Sequence, residues 1–191
     1  MSISPEYQEH MRKEHYRSKW GTTGPKYAGA GVIRMLDERP YIESVLDFGA
    51  GKGELGSYIE QHLPGRVRKW TNYDPGMPAY DKLPDKQFDL VISTDVLEHV
   101  EPHLIPETLQ QLDERTRLVC YSNIACYPTG SLFMEGPYIG QDMHISLHRP
   151  EWWRAAFDEH TSLGLFQYEA VQRRRRGDFI DRVTLTYERL P

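Results

Sequence analysis

A glycine-rich turn at residues 49–53 is the part of the sequence whose residue types and spacing point most directly to chemistry. An apolar strand pattern, Ser44–Phe48, leads into Gly49-Ala50-Gly51-Lys52-Gly53, and a helical pattern begins at Glu54. Glycines at a strand-to-helix turn let the backbone approach a ligand closely, and the helix N-terminus favours an anionic group. Many nucleotide sites share this arrangement, so the glycines alone leave the ligand open.

Two aspartates narrow the choice of ligand. Asp47 would repel the pyrophosphate of a dinucleotide but attract the ammonium and sulfonium groups of S-adenosylmethionine (SAM), which carries only one carboxylate. Asp74 follows Gly51 by 23 positions, a spacing at which an acid can accept hydrogen bonds from both ribose hydroxyls. The alternative is that both aspartates merely end strands of a flavodoxin-like domain, and their joint spacing with the glycines favours SAM.

The elements that must position these residues alternate between strand and helix patterns. Between Asp74 and Phe88 the chain is rich in proline and glycine, which leaves little room for a further strand and helix. We therefore predict an α/β fold with a doubly wound, mostly parallel sheet, a reduced third-strand region and a C-terminal antiparallel hairpin. The predicted strands are 44–48, 66–73, 88–93, 117–122, 164–171 and 179–188, and the predicted helices are 26–38, 54–63, 105–115 and 150–157.

Three segments resemble the motifs of class I, Rossmann-like SAM-dependent methyltransferases. They are VLDFGAGKG at 45–53, YDP at 73–75 and FDLVISTDVLEHV at 88–100. The chain is also similar to small bacterial and phage-type methyltransferase-domain proteins, through Trp20-Gly-Thr-Thr-Gly24 with Tyr27, and through the loop of His144 before Glu151-Trp-Trp153. The resemblance implies SAM as cofactor, and the expected cofactor contacts are Trp20, Tyr27, Asp47, Gly49, Ala50, Gly51, Asp74, Pro75, Thr94 and Asp95.

The length and composition of the whole chain indicate its domain organisation and its cellular location. Its 191 residues predict one domain, 1–191, with residues 1–25 as an N-terminal cap and residues 124–149 as an acceptor-side insertion. Cys120 and Cys126 match neither a zinc-ligand nor a redox spacing, so we expect reduced thiols in the cytoplasm. We find no signal peptide pattern and no membrane span.

His144 is the first candidate for a catalytic residue. In Asp142-Met-His144-Ile-Ser146-Leu-His148 polar and apolar residues alternate, so an extended segment would place the polar side chains on one face. The ordinary pKa of histidine suits a general base at neutral pH. A half-buried strand with a solvated polar face explains the same pattern. A metal site made by Asp142, His144 and His148 lacks a further ligand, and we predict no bound metal.

His99 is the second catalytic candidate, because it follows the strand 88–93 at the rim where the ligand should lie. In the superfamily pattern, Glu98 and His99 also serve as packing residues. Trp20 and Tyr27, with Tyr16, either close over the cofactor or pack as a simple cap. Met77 or Leu83 is the expected cover for the adenine. Trp152, Trp153 and Phe157 are expected in the core rather than at the acceptor.

The acceptor is the least determined part of the prediction. A formal net charge of −5 and a pI near 5.9 argue against a nucleic acid as the default partner. The run Arg173–Arg176 is either a solvated hairpin tip or a site for a phosphate-bearing acceptor. We expect methyl transfer to a small molecule such as a sugar or nucleotide-linked metabolite. The alternatives are a nucleic-acid methyltransferase and a SAM-binding module without catalysis. The oligomeric state is left open.

Overall fold

The fold is built on one six-stranded sheet. The computed structural model describes residues 3–17, 20–175 and 178–189. The strands are β1 (Ser44–Phe48), β2 (Lys69–Tyr73), β3 (Phe88–Thr94), β4 (Thr116–Ala125), β5 (Gly164–Arg175) and β6 (Asp178–Glu188). The helices are α1 (Pro5–Arg17), α2 (Gly24–Glu38), α3 (Glu54–His62), α4 (Ile105–Arg115) and α5 (Pro150–His160). None of the helices in the described residues has the length and apolarity needed to cross a bilayer.

The strand order is β2-β1-β3-β4-β6-β5. Strands β1 to β4 pair in parallel, whereas β6 pairs antiparallel with both β4 and β5. The predicted mostly parallel sheet with an antiparallel hairpin is therefore confirmed. Residues 74–87 contain neither helix nor strand, so β2 lies at the sheet edge and the third-strand region is reduced as predicted.

Two helical layers cover the sheet and form separate apolar clusters. Val32 and Leu36 of α2 and Ile59 of α3 pack with one set of strand residues, while Leu109 of α4 and Trp153 of α5 pack with the other. Strand β3 is buried along its whole length, as expected for a strand covered on both faces. This doubly wound arrangement brings the carboxyl ends of β1 to β4 to one edge of the sheet.

Helix α1 is an element that the sequence analysis did not predict. Tyr7 and Met11 bury their side chains against Phe133 of the segment 126–149, together with the partly buried Trp20 and Tyr138. Tyr7 contacts Phe133 and Tyr138 edge to face, with ring centroids 6.0 and 5.2 Å apart. The helix and this segment therefore form a third cluster beyond the carboxyl ends of the strands.

Candidate active site

One cavity at the carboxyl ends of the parallel strands is lined by the ten expected cofactor contacts and by both catalytic candidates, His99 and His144. Its volume is about 340 Å³, within the range of about 300–1,000 Å³ typical of small-molecule sites. Helix α1, the segment 126–149 and strand β6 contribute further walls. The selected residues that line the cavity are Trp20, Tyr27, Asp47, Gly49, Ala50, Gly51, Asp74, Pro75, Thr94, Asp95, His99 and His144.

The cavity has two chemically different parts. The glycine half, at the ends of β1 and β2, consists of Asp47, Gly49–Gly51 and Asp74. The histidine half, at the ends of β3 and β4 and on β6, consists of His99, Tyr127, His144 and Arg182. Trp20 also lines the cavity, with its ring centroid 4.6 Å from that of His99.

Backbone geometry fixes the turn of the glycine half. The amides of Gly49 and Ala50 donate to the carbonyl oxygen of Tyr73 at 2.7 and 3.0 Å. Gly51 has φ +53°, and a Cβ placed there would lie 2.4 Å from the Cα and carbonyl oxygen of Gly21. Only glycine permits this contact, which docks the loop after α1 directly onto the turn.

Asp74 ties the same turn to the end of β2. Its Oδ2 accepts the amide of Gly51 at 2.8 Å, and its Oδ1 accepts the amide of Gly76 at 2.8 Å. The Nε2 atom of His15, on α1, lies 3.4 Å from Oδ1. Since each carboxylate oxygen can accept two hydrogen bonds, Asp74 keeps acceptor capacity toward the cavity.

Asp47 is a buried carboxylate with unused hydrogen-bonding capacity. It is only 4% exposed, and its Oδ2 has no hydrogen-bond partner within the described part of the chain. Burial, together with the nearby Asp74 carboxylate, raises the pKa of Asp47 to about 7. A ligand cation beside Asp47 would relieve both unfavourable effects.

In the histidine half, Arg182 binds Asp95, the residue that follows β3. Its Nη1 donates to Asp95 Oδ1 and Asn123 Oδ1, both at 2.5 Å, and its Nη2 donates to the Tyr127 hydroxyl at 3.2 Å. The guanidinium also lies 4.1 Å from the ring centroid of Tyr27. Asp95 has φ +54°, a conformation uncommon for a residue other than glycine, and the ion pair helps to hold it.

His99 and His144 face each other in the same half, with ring centroids 4.8 Å apart and planes at 69°. The Nδ1 atom of His99 donates to the carbonyl of Met143 at 2.8 Å, and that of His144 donates to the carbonyl of Tyr127 at 2.6 Å. Carbonyl partners require a proton on Nδ1, which leaves Nε2 of each neutral ring as a lone-pair donor. Burial and the neighbouring His144 lower the pKa of His99 to about 4, and burial lowers the pKa of His144.

Glu98 is fully buried beside the two histidines. Its Oε1 accepts the amide of Ala125 at 2.8 Å, whereas Oε2 has no hydrogen-bond partner among the described residues. Burial and the Asp95 carboxylate raise the pKa of Glu98 to about 8. From the sequence, Glu98 was expected to be a packing residue rather than part of a site.

The predicted extended segment at Asp142–His148 is wrong. Asp142 forms only an isolated bridge to Leu132, and its carboxylate accepts the amides of Thr129, Gly130 and His144. The Oγ of Ser146 donates to the carbonyl of Val100, and His148 stacks on Trp152. Of the four polar residues in this segment, only His144 lines the cavity. The backbone is irregular because the polar side chains hydrogen-bond to nearby main-chain groups.

The structure also shows where several other residues named in the sequence predictions lie. Neither Met77 nor Leu83 lines the cavity, and Leu83 packs on the core instead. Trp153 and Phe157 are core residues as predicted, but Trp152 is 40% exposed. Of the arginine run 173–176, the first three residues end β5, and the side chains of the run lie outside the described part of the structure.

Several residues that line the cavity were not predicted from the sequence. Arg182 occupies a polar position of an alternating strand, where a solvated side chain is the ordinary expectation. Tyr127 lies in a loop without a recognisable motif. Tyr7, Met11 and His15 recur at near-helical spacing in an otherwise polar N-terminus, and that periodicity is the one signal that could have identified α1.

Comparisons with known proteins agree with this geometry. A search of curated protein sequences finds no significant match. The structure resembles the N-methyltransferase NodS of Bradyrhizobium japonicum WM9, solved with S-adenosylhomocysteine (SAH), at 10% identity and a TM-score of 0.57, covering 96% of this chain and 99% of that one. It also resembles the methyltransferase domain of the bacterial protein CtHen1-CN, at 14% identity and a TM-score of 0.61, covering 85% and 98% of the two chains.

A third similar structure is the 1,6-didemethyltoxoflavin-N1-methyltransferase of Burkholderia thailandensis, solved with 1,6-didemethyltoxoflavin and SAH. It shares 16% identity and a TM-score of 0.56, covering all of this chain and 92% of that one. These likenesses concern the fold. The sequence profile of a family described as a methyltransferase domain matches residues 11–168, which is most of the chain. The chain therefore belongs to the methyltransferase-domain family, within the class I superfamily of SAM-dependent methyltransferases.

Proposed function

We propose that this methyltransferase acts on a small molecule that binds in the histidine half of the cavity. The observation that carries the proposal is the form of the cavity, about 340 Å³ with α1 and the segment 126–149 in its walls. Met11, Thr129 and Met143 line it from these two elements. Such walls favour a compact acceptor that enters beside the cofactor over a polymer that lies across a groove.

The glycine half fits SAM by an observation independent of the family. Asp47 Oδ2 is buried without a hydrogen-bond partner among the described residues, as expected of a group that receives a ligand ammonium. Gly51 leaves no room for a side chain where the backbone turns toward the cavity. We assign Asp47 to the ammonium, Asp74 to the ribose hydroxyls and the 49–51 turn to close backbone approach. Pro75, Thr94 and Asp95 remain expected cofactor contacts.

SAM, when bound, supplies a methyl group on an already activated sulfonium. The chain therefore has only to align the acceptor and to assist the loss of its proton. His99 and His144 both keep Nε2 available once Nδ1 is engaged by a carbonyl. Such a nitrogen can accept the acceptor's proton or bind a cation that acidifies the acceptor, and in both routes this pair promotes loss of the proton.

The proposed function also includes a domain organisation and a cellular location for the chain. The region 1–25, which includes α1, acts as a cap on the cavity, and the region 124–149 contributes the acceptor side of a single domain 1–191. Trp20 and Tyr27 contribute aromatic surface between the two halves. Both cysteines are free thiols, in keeping with our expectation of a cytoplasmic enzyme.

The test combines cofactor binding with an acceptor screen. Calorimetry with SAM and SAH should show binding at one site per chain. A screen with tritiated methyl-SAM against hydroxyl- and amine-bearing metabolites, DNA and RNA should label a small molecule. Labelling of nucleic acid alone would favour the macromolecular alternative, and SAM binding with no labelling of any acceptor would favour a binding module. Failure to bind SAM at millimolar concentration would contradict the assignment of the glycine half.

A further inference from the structure

Three potential metal-ligating side chains converge on one point of the histidine half. Glu98, His99 and His144 each offer one ligand atom, and these atoms all lie within 4.8 Å of one another. Glu98 and His99 lie in a short 3-10 helical turn after β3, and His144 lies in the segment 126–149, so the fold, rather than a local sequence motif, brings the three together. Two imidazoles and one carboxylate form a recurrent ligand set for divalent first-row metals, and this set leaves coordination positions open.

The two imidazoles are held in the orientation that metal-ligating histidines usually have. In protein metal sites the second ring nitrogen almost always donates to a carbonyl or carboxylate, which fixes the tautomer. Here Nδ1 of His99 donates to the Met143 carbonyl, and Nδ1 of His144 donates to the Tyr127 carbonyl. Nε2 is therefore the ligand atom that each ring has left to offer.

The carboxylate of Glu98 provides a second and independent indication. Its Oε1 is satisfied by the Ala125 amide, but its fully buried Oε2 has no hydrogen-bond partner among the described residues. Asp95, three residues earlier, has its carboxylate bound by Arg182. A buried carboxylate is costly unless it is paired with a cation, and a metal ion beside Glu98 would supply one.

We propose that Glu98, His99 and His144 bind one divalent first-row cation, such as Zn²⁺ or Mn²⁺, whose open coordination positions take a hydroxyl oxygen of the acceptor. The mixed nitrogen and oxygen set favours these ions over Mg²⁺ or Ca²⁺. The cation lowers the pKa of the bound hydroxyl, and the released proton passes to water. The methyl carbon then bonds to this oxygen while its bond to sulfur breaks, and that electron pair stays on sulfur, giving SAH. His99 and His144 act as ligands, not as proton acceptors. The acceptor part of this inference rests on the proposed function, whereas the metal site does not.

Direct metal binding to the full chain is the test. After chelator dialysis, Co²⁺ is titrated while its visible absorption bands are recorded, and bound Zn²⁺ or Mn²⁺ is counted per chain by elemental analysis. We expect one ion per chain, with affinity reduced at least about tenfold in Glu98→Gln and in His144→Ala. Glu98→Gln is nearly isosteric and can still accept the Ala125 amide. Thermal unfolding and SAM affinity verify that each variant is folded.

Two controls separate this site from other possible ligand groups. Glu135→Gln alters a second cluster, formed by His10, Glu14 and Glu135, and His148→Ala removes a histidine of the same loop that lies outside the cavity. Both controls should bind Co²⁺ like the unaltered protein. Equal binding in all variants, loss only in Glu135→Gln, or no binding at millimolar Co²⁺ would each overturn the metal site.

Methyl transfer is measured separately, on chelated protein with and without added Zn²⁺ or Mn²⁺. Transfer that depends on the ion supports the acceptor role, whereas full transfer by metal-free protein would overturn that role. If the chain binds the metal but not SAM, the proposed function fails and the metal site stands. If the chain binds and uses SAM but binds no metal, the proposed function stands and the metal site fails.

Discussion

The glycine half and the histidine half of the cavity are assembled in different ways. The contacts of the glycine half join Asp47 of β1, the 49–51 turn that follows β1, and Asp74, which directly follows the adjacent parallel strand β2. The histidine half draws on His99, Tyr127, His144 and Arg182, which are distributed over more than eighty residues of sequence. The proposed cofactor side is thus built around a local strand-to-helix motif, while the proposed acceptor side depends on the complete tertiary structure.

The two halves also differ in how their charges are balanced. In the glycine half, burial and the nearby Asp74 charge both raise the pKa of Asp47. In the histidine half Asp95 is paired with Arg182. Positive charge in the glycine half should therefore come mainly from the ligand, whereas the histidine half already contains an arginine. Variants that alter one half should leave the other largely intact, and the following predictions test that separation.

The largest effect is expected for Gly51→Ala. The new Cβ would lie 2.4 Å from the Gly21 backbone, and φ +53° adds left-handed strain, so unfolding free energy should fall by about 2–5 kcal/mol. SAM affinity should fall with it. Gly65→Ala is the matched control, because Gly65 has φ +68° but open space around its Cβ position; its cost should be about 1–2 kcal/mol. Chemical denaturation measures the unfolding free energy of both variants, and calorimetry measures their SAM affinity. An equal loss of unfolding free energy in the two variants would show that the contact with Gly21 is unimportant.

Asp47→Asn should weaken SAM binding while stabilising the cofactor-free protein. Loss of a charge-assisted hydrogen bond corresponds to about 10- to 100-fold in affinity. The folded pKa of about 7 lies about three units above the ordinary value, so the neutral amide should raise unfolding free energy near pH 8 by up to about 4 kcal/mol. The sign follows from linkage, since a raised acid pKa destabilises the fold as pH increases through it. This gain should vanish below about pH 4, and the exposed Asp85→Asn should show neither effect.

Arg182→Met should destabilise the fold without removing the glycine half. Removing one member of a buried ion pair leaves Asp95 unpaired, at a cost of about 3 kcal/mol. The double variant with Asp95→Asn should recover part of that loss, which a double-mutant cycle in chemical denaturation measures. Additive losses in the cycle would contradict the energetic coupling between Arg182 and Asp95.

SAM affinity should depend on pH through Asp47. Below pH 7 the proton on Asp47 competes with the ligand ammonium, so affinity should increase by up to about tenfold per pH unit and then level off above that pH. Calorimetry across pH 5.5 to 8.5 in buffers of equal ionic strength gives the profile. Asp47→Asn should flatten it, and an unchanged slope in that variant would assign the dependence to another group.

The smallest effect is expected for His148→Ala. This histidine stacks on Trp152 at a centroid distance of 3.5 Å and does not line the cavity, so turnover should change by less than about twofold.

His144→Ala should, by contrast, retain SAM affinity and lose turnover. A similar loss in both variants, measured with the acceptor found in the screen, would mean that the loop acts as a whole rather than through His144.

Much of the fold and the position of the glycine half could be predicted because the sequence patterns that indicate them are local. The helix 105–115 and the strand 44–48 were placed with correct ends, and the missing third strand followed from the short stretch between Asp74 and Phe88. The glycines and Asp47 have a spacing that only a few ligands fit. Such features depend on residues close in sequence, and a single chain displays them directly.

The remaining features depend on contacts between distant residues. From the sequence alone, Arg182 is expected to be a solvated strand residue, because its contacts exist only once β6 pairs with β4. Glu98 is likewise expected to be a packing residue, because His144 approaches it only in the folded chain. The alternation of polar and apolar residues at Asp142–His148 predicted an extended segment. Instead, the Asp142 carboxylate accepts hydrogen bonds from three backbone amides, and a compact loop results. Local hydrogen bonds of this kind compete with extended structure and leave no distinct periodicity.

Helix α1 has a consequence for the speed of ligand exchange. It is joined to the cavity rim by Gln8 Nε2, which donates to the Pro75 carbonyl at 2.9 Å, and by an ion pair between Arg12 and Asp81 at 3.0 Å. Such partly exposed contacts contribute little free energy individually, but opening of the helix must also expose the buried side chains of Tyr7 and Met11, so opening should be infrequent. Residence times of cofactor and product should therefore follow the opening rate of this helix, and product release, rather than methyl transfer, would then set the turnover number.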